Sequence, residues 1–224
     1  MEGGRRRAIV IAGGECSLRE LNEYCTPSAI VLAVDGGLYH LLAANLFPDA
    51  LIGDLDTLDP ALKRSIQDTN IPIHILPHDK DISDTHAACR LAITIYQANE
   101  IILLGAWGGP RADHAMANVM LLEWLERRNI RAVLLHPTNR FRLLRGPGSL
   151  WMGKNGGYTH ISLLPLTDTV QGIVLEGFQY PLDGAALPRA PVYGLSNRLI
   201  APFLGRLSIQ FGACLVIESQ DQDT

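Results

Sequence analysis

Residues 50–60, ALIGDLDTLDP, run apolar through Ile52 and then set Asp54, Asp56 and Asp59 within six positions. Acid recurs where other apolar runs end. Asp35 closes AIVLAV and is followed by Gly36 and Gly37; HDKDISD at 78–84 carries Asp79, Lys80, Asp81, Ser83 and Asp84; GGPRADH at 108–114 carries Arg111, Asp113 and His114. Carboxylates facing a common cleft cannot all stay ionised without a compensating cation. Oxygen-only ligation suits a hard divalent ion, and Mg²⁺ held by a few carboxylates together with substrate phosphates is the usual arrangement. Asp54 and Asp56 alternate along a segment expected to be extended, which puts both on one side. Glycines on the same rim let backbone N–H groups approach phosphate oxygens, and Lys80 and Arg111 supply positive charge. The pattern predicts a site for a magnesium polyphosphate.

Taken singly, several of these residues have plainer explanations. Asp59, directly before Pro60, fits the N-cap of a helix, and Ser83 or Asp84 fits the cap of the next one. Paired glycines make tight turns. His74 and His78 decorate a strand and a loop, and Trp107, Trp124 and Trp151 read as core or interface fillers. Among competing chemistries, DLDT resembles the D-x-D-x-T of haloacid-dehalogenase-type phosphatases, but its Thr comes one position early. The G-x-x-x-x-G-K-[ST] of a P-loop kinase is absent from the sequence. A nucleotide-sensing module has no need of so many metal-facing acids.

These residues require a scaffold that gathers strand ends. Up to about residue 138, nearly all-apolar runs (RAIVIAGG, AIVLAVDGG, DALIGDLD, IPIHILPHD, EIILLGAWGG, RAVLLHP) alternate with stretches of helical period such as LYHLLAANL, DPALKRSIQD, DTHAACRLAITIYQ and RADHAMANVMLLEWLERR. That alternation predicts a Rossmann-like, mostly parallel sheet with helices on both faces, a fold that binds ligands beyond the carboxyl ends of its strands. From about residue 139, short apolar runs broken by Gly, Pro, Asn or Asp predict a sandwich-like all-β domain. The expected division is 1–138 and 139–224.

Composition sets outer bounds. With 47% hydrophobic and 19% charged residues over 224 positions, the chain can bury a sizeable core. A net charge of −4, with a sequence pI near 5.9, argues against a nucleic-acid partner; the Arg5–Arg7 run is read as a solvated strand entry. Cys16, Cys25, Cys89 and Cys214 are widely spaced and read as free thiols of a reducing compartment. No leader-like segment or long apolar span is evident, so the expectation is a cytoplasmic protein with no membrane contact.

At the level of ordered motifs the chain resembles the thiamine pyrophosphokinases. The resemblance rests on DGG at 35–37, GDLDT at 53–57, DKDISD at 79–84, RADH at 111–114 and GLSN at 194–197, in that order. Two positions depart from the family pattern: Pro110 stands between the double glycine and Arg111, and Ser83 replaces a threonine while keeping the hydroxyl. The resemblance implies transfer of a diphosphoryl group from ATP to the hydroxyl of thiamine. It implies Asp35, Asp54, Asp56 and Asp84 as magnesium-facing carboxylates, and Gly36, Gly37, Lys80, Asp81, Ser83 and Arg111 around ATP. Asp113, His114, Ser196 and Asn197 would lie around thiamine, with Asp113 either orienting the hydroxyl or accepting its proton. It also implies a homodimer with composite sites. A pterin alcohol is the alternative acceptor.

Overall fold

A computed structural model describes residues 6–55, 58–67, 69–77, 79, 81–153, 157–200 and 204–221, apart from the side chains of Ser65 and Gln67. Arg5, Asp56, Thr57, His78 and Lys80 lie outside the described residues. The chain divides into two compact units, Met1–Pro137 and Thr138–Thr224.

In the first unit, β1 (Arg7–Ile11), β2 (Ile30–Val34), β3 (Ala50–Gly53), β4 (Ile73–Ile75), β5 (Glu100–Leu104) and β6 (Arg131–His136) form a parallel sheet in the order β4-β3-β2-β1-β5-β6. The helices are α1 (Leu18–Tyr24), α2 (Gly37–Ala43), α3 (Pro60–Gln67), α4 (Asp84–Thr94) and α5 (Ala112–Glu126). Right-handed crossovers from β1 through β4 put α1–α3 on one face, and the reversal into β5 and β6 puts α4 and α5 on the other. The core follows: Leu21, Leu38, Leu41 and Ile66 pack with Ile9, Ile11, Val31 and Leu51, while α4 lies against β1–β3 and α5 against β6. The strand order reverses between β1 and β5, which makes the crevice beyond their carboxyl ends the expected ligand position.

Short α1 owes its start to a capping box. The Ser17 hydroxyl accepts from Glu20 N–H at 3.2 Å, and the Glu20 carboxylate accepts from Ser17 N–H at 2.8 Å. In α5, Ala115, Val119 and Leu122 are buried as their spacing predicts.

The second unit holds two antiparallel sheets. One pairs β7 (Asn139–Arg145), β13 (Ala213–Ser219) and β9 (His160–Pro165); the other runs β11 (Leu182–Pro188), β10 (Thr169–Glu176), β12 (Gly205–Ile209), β8 (Gly148–Met152). Their inner faces share one core, with Leu144, Leu163 and Val216 of the first meeting Ile173, Leu207 and Ile209 of the second. A sandwich is the result.

The four cysteines are free thiols, Cys89 and Cys214 buried and Cys16 and Cys25 half-buried. Burial pushes the Cys25 thiol up to about 11 and the others to about 12, so thiolate is scarce at neutral pH. Among the described residues no helix is long and apolar enough to cross a membrane.

One ion cluster is built into the sandwich. Glu218 of β13 is buried and lies directly across the ladder from Arg140 of β7; its carboxylate accepts from Arg140 and, at 2.7 Å, from Arg142. Removing the carboxylate takes away the buried anion that both guanidinium groups share. Glu218→Ala should therefore lower unfolding free energy by about 3–5 kcal/mol in urea denaturation; a loss below about 1 kcal/mol, the level of an exposed pair, would contradict this reading.

Candidate active site

The ends of β2 and β3 meet through one close contact. Asp35 lies just past β2 with a left-handed φ of 42°; its N–H donates to Ile52 at 3.0 Å, and its Oδ1 accepts from Leu55 N–H at 3.2 Å. Gly53, with φ 147°, is packed against it so tightly that a β-carbon at position 53 would overlap the Asp35 carboxylate. The glycine of GDLDT thus makes room for an acid from the neighbouring strand. Asp54 follows directly and is half-buried, as Asp35 is.

The extended path expected through this segment is not what forms. β3 ends at Gly53 and Leu55 is left-handed, with φ 62°. A bulky residue there costs about 1–2 kcal/mol. The cost is offset because Leu55 is buried in the core under α1–α3. Simple alternation therefore does not decide how Asp54 and Asp56 point, and Asp56 is outside the described residues. Asp59 does cap α3: its Oδ1 accepts from Ala61 N–H at 2.7 Å.

Neighbouring loops are tied by residues that sequence reasoning did not single out. In α2, the Tyr39 hydroxyl accepts from Asp59 N–H at 2.7 Å, and the His40 ring bonds the Gly14 carbonyl at 2.7 Å. At the β1–β5 crevice, Gly14 N–H donates to Gly105 and Glu15 N–H to Trp107, at 2.7 and 3.1 Å. The exposed Glu15 carboxylate reaches buried His136, at the end of β6, across 3.1 Å. A histidine closing the apolar run RAVLLH was the one available hint. Gly37 is accounted for by packing, since a β-carbon there would strike the Ile11 carbonyl; Gly36 lies beside Gly13 with room to spare.

The helices on the other face bring the remaining polar residues. Ser83 caps α4, its hydroxyl accepting from His86 N–H at 3.2 Å, which leaves the O–H proton available to another acceptor. Asp84 opens the helix and is half-buried, whereas Asp81 is exposed; Lys80 lies outside the described residues. Arg111 and Asp113, at the start of α5, form a bidentate pair at 2.9 and 2.6 Å, both exposed, with His114 exposed beside them. The hydrogen bond from Arg111 holds the Asp113 carboxyl well below the usual carboxylate range, which makes it a weak base while paired. Asp35, Asp54 and Asp84 therefore come from three elements, and among the described residues no group of three or more His, Cys, Asp or Glu side chains is disposed to hold a metal ion.

In the second unit GLSN lies along β9. Leu163 N–H donates to Gly194, Ser196 N–H to the Ser162 hydroxyl, and Asn197 exchanges two backbone bonds with Ile161. The Asn197 side chain accepts from Tyr180 and Arg198 N–H groups and donates to the Tyr180 carbonyl at 2.8 Å, so it shapes the loop. Ser196, in left-handed conformation (φ 59°), is exposed, as are Tyr180, Tyr193 and Leu195 around it.

Comparison with known proteins matches residues 21–134 to the model "Thiamin pyrophosphokinase, catalytic domain" and residues 152–203 to "Thiamin pyrophosphokinase, vitamin B1 binding domain". The thiamine pyrophosphokinase of Bacillus subtilis (strain 168) is 29% identical over 95% of this chain and 98% of its own length. A crystal structure of thiamine pyrophosphokinase from Bacillus subtilis superposes with TM-score 0.87 at 26% identity, covering 97% of this chain and 100% of that one. One from Geobacillus thermodenitrificans gives TM-score 0.81 at 28% identity, covering 97% and 99%.

The Gly53 contact is testable by itself. Gly53→Ala should push the Asp35 carboxylate off Leu55 N–H and cost about 1–3 kcal/mol of stability. A variant crystal structure with Asp35 in place, together with an unchanged denaturation midpoint, would contradict it.

Proposed function

The chain belongs to the thiamine pyrophosphokinase family, and from that premise we propose that it transfers the diphosphoryl group of ATP to thiamine, giving thiamine diphosphate and AMP. The carrying observation is the junction of β2 and β3, where the Asp35 carboxylate packs against Gly53 and Asp54 follows that glycine directly in the chain. The relative of similar length from Bacillus subtilis is named for the same activity.

The thiamine hydroxyl oxygen forms a bond to the β-phosphorus, the bond from that phosphorus to the oxygen of AMP breaks, and the hydroxyl proton is released. Such transfers depend mainly on alignment and charge neutralisation. Lys80 and Arg111 counter the charge on the polyphosphate. Asp113, a weak base while paired with Arg111, orients the hydroxyl and leaves the proton to solvent. The Ser83 hydroxyl donates to a phosphate oxygen while its lone pair stays on His86 N–H.

Asp35, Asp54, Asp56 and Asp84 would hold Mg²⁺. Their donor set, carboxylate oxygen alone, fits a hard cation. That ion supplies charge neutralisation and a fixed path for the phosphate chain.

The first unit is the proposed ATP and metal unit. The second takes thiamine beside Ser196, positioned by Asn197. Exposed Tyr180, Tyr193, Leu195 and Ile200 in the second unit support burial against a second copy, hence a homodimer with composite sites. The thiols, largely protonated at neutral pH, suit work in a reducing cytoplasm.

Purified protein with ATP, Mg²⁺ and thiamine should yield AMP and thiamine diphosphate by ³¹P NMR, and a pterin alcohol in place of thiamine should yield neither; ADP, or free phosphate without acceptor, would contradict the reading. Chelation of Mg²⁺ should stop turnover. Asp54→Asn should lower kcat by about 10²–10³-fold with the fold intact, and a variant retaining ordinary thiamine-dependent AMP formation would sink the metal assignment.

A further inference from the structure

Between α4 and α5 lies a cleft of about 320 Å³, lined by His86, Arg90, Ile93, Thr94, Trp124 and Arg128. His86, Arg90 and Thr94 are spaced by four residues and share one face of α4, and Trp124 and Arg128 are likewise one turn apart near the end of α5. Trp124 is the pivot of the wall. The Arg128 guanidinium lies 3.9 Å from the centre of its ring and donates to the Trp124 carbonyl at 3.0 Å, while the His86 ring meets the indole edge-on at 4.4 Å.

The charge of this cleft is of one sign. Among the described residues no carboxylate lines it and no ion pair involves Arg90 or Arg128, whereas the adjacent Arg127 is paired with Glu123 at 2.8 Å. The field reaches His86, whose pKa is pushed down by burial and then by Arg90 and Arg128. Arg90 and Arg128 are both exposed and both line the cleft, and their forked donors match phosphate geometry. Stacking on Trp124 fixes Arg128 in advance, which reduces the ordering cost of binding. The volume is at the lower end for small-molecule sites, and Ile93 and the indole offer an apolar wall.

We propose that the α4–α5 cleft is a second anion site of this protein, distinct from the carboxylate-bearing strand ends, which takes a small organic phosphate or diphosphate between Arg90 and Arg128 and rests its body on Ile93 and Trp124. The two sites have opposite polarity: the strand ends require a cation before they accept phosphate, and the cleft does not. Binding here is therefore metal-independent. On the function proposed above, both products, AMP and thiamine diphosphate, carry the chemistry the cleft selects.

The test titrates the whole chain with inorganic pyrophosphate in excess EDTA by calorimetry, then repeats it with AMP and with thiamine diphosphate to distinguish the two sources. Saturable binding should persist in Asp54→Asn and weaken by about 10–100-fold in the Arg90→Gln/Arg128→Gln double variant. Because Arg128 also supports Trp124, Arg90→Gln alone serves as the second variant, with circular dichroism to verify folding, and should weaken binding in the same direction. The proposal is overturned if pyrophosphate shows no saturable binding without metal, if binding is unchanged in a folded Arg90→Gln chain, or if Asp54→Asn abolishes it, which would assign the anion to the strand ends. Failure of thiamine turnover leaves this outcome unaffected, since the assay needs no reaction.

Discussion

The carboxyl edge of the parallel sheet depends on a shortage of space at one point. The Asp35 carboxylate occupies the volume that any side chain at position 53 would fill, and Leu55 N–H holds it there. Two adjacent strands therefore end with an acid apiece, Asp35 after β2 and Asp54 after β3, on either side of this contact in the chain. On the function proposed above, a hard cation shared with a polyphosphate would join these acids at one site. Strain at Leu55 belongs to the same arrangement: the left-handed turn redirects the chain directly after Asp54, and burial of the leucine offsets its cost.

Around this junction, the topology decides which groups can meet. Parallel strands deliver their carboxyl ends, and the first turns of the following helices, to one edge. On one face, α2 ties the loops after β1 and β3 through His40 and Tyr39. From the other face, α4 and α5 bring Asp84 and the Arg111–Asp113 pair. The pairing matters chemically: an arginine that already neutralises its neighbouring aspartate can hand its donors to an incoming phosphate at the expense of that bond.

Much of this was legible in the sequence, and the failures have physical causes. Nearly all-apolar runs alternating with helical periods specified the parallel sheet, because strands buried on both faces leave no other pattern. Pro60 after Asp59, and Ser83 ahead of α4, gave helix starts that the hydrogen bonds bear out. The geometry after β3 was not legible, since a left-handed leucine is set by tertiary burial and carries no local signal. Tyr39, His40 and Glu15 were missed for a related reason: their partners lie 20, 26 and 121 positions away. Asn197 shows the converse, a motif residue whose side chain in this fold is spent on shaping its own loop.

The central claim is that the ends of β2 and β3 hold a divalent ion against a polyphosphate. Electron paramagnetic resonance of Mn²⁺ added to the full-length protein, with and without ATP, tests it most directly. The account predicts bound Mn²⁺ that tightens when ATP is present and is lost in a folded Asp35→Asn chain. Mn²⁺ and ATP binding in that chain indistinguishable from the unsubstituted protein would contradict it.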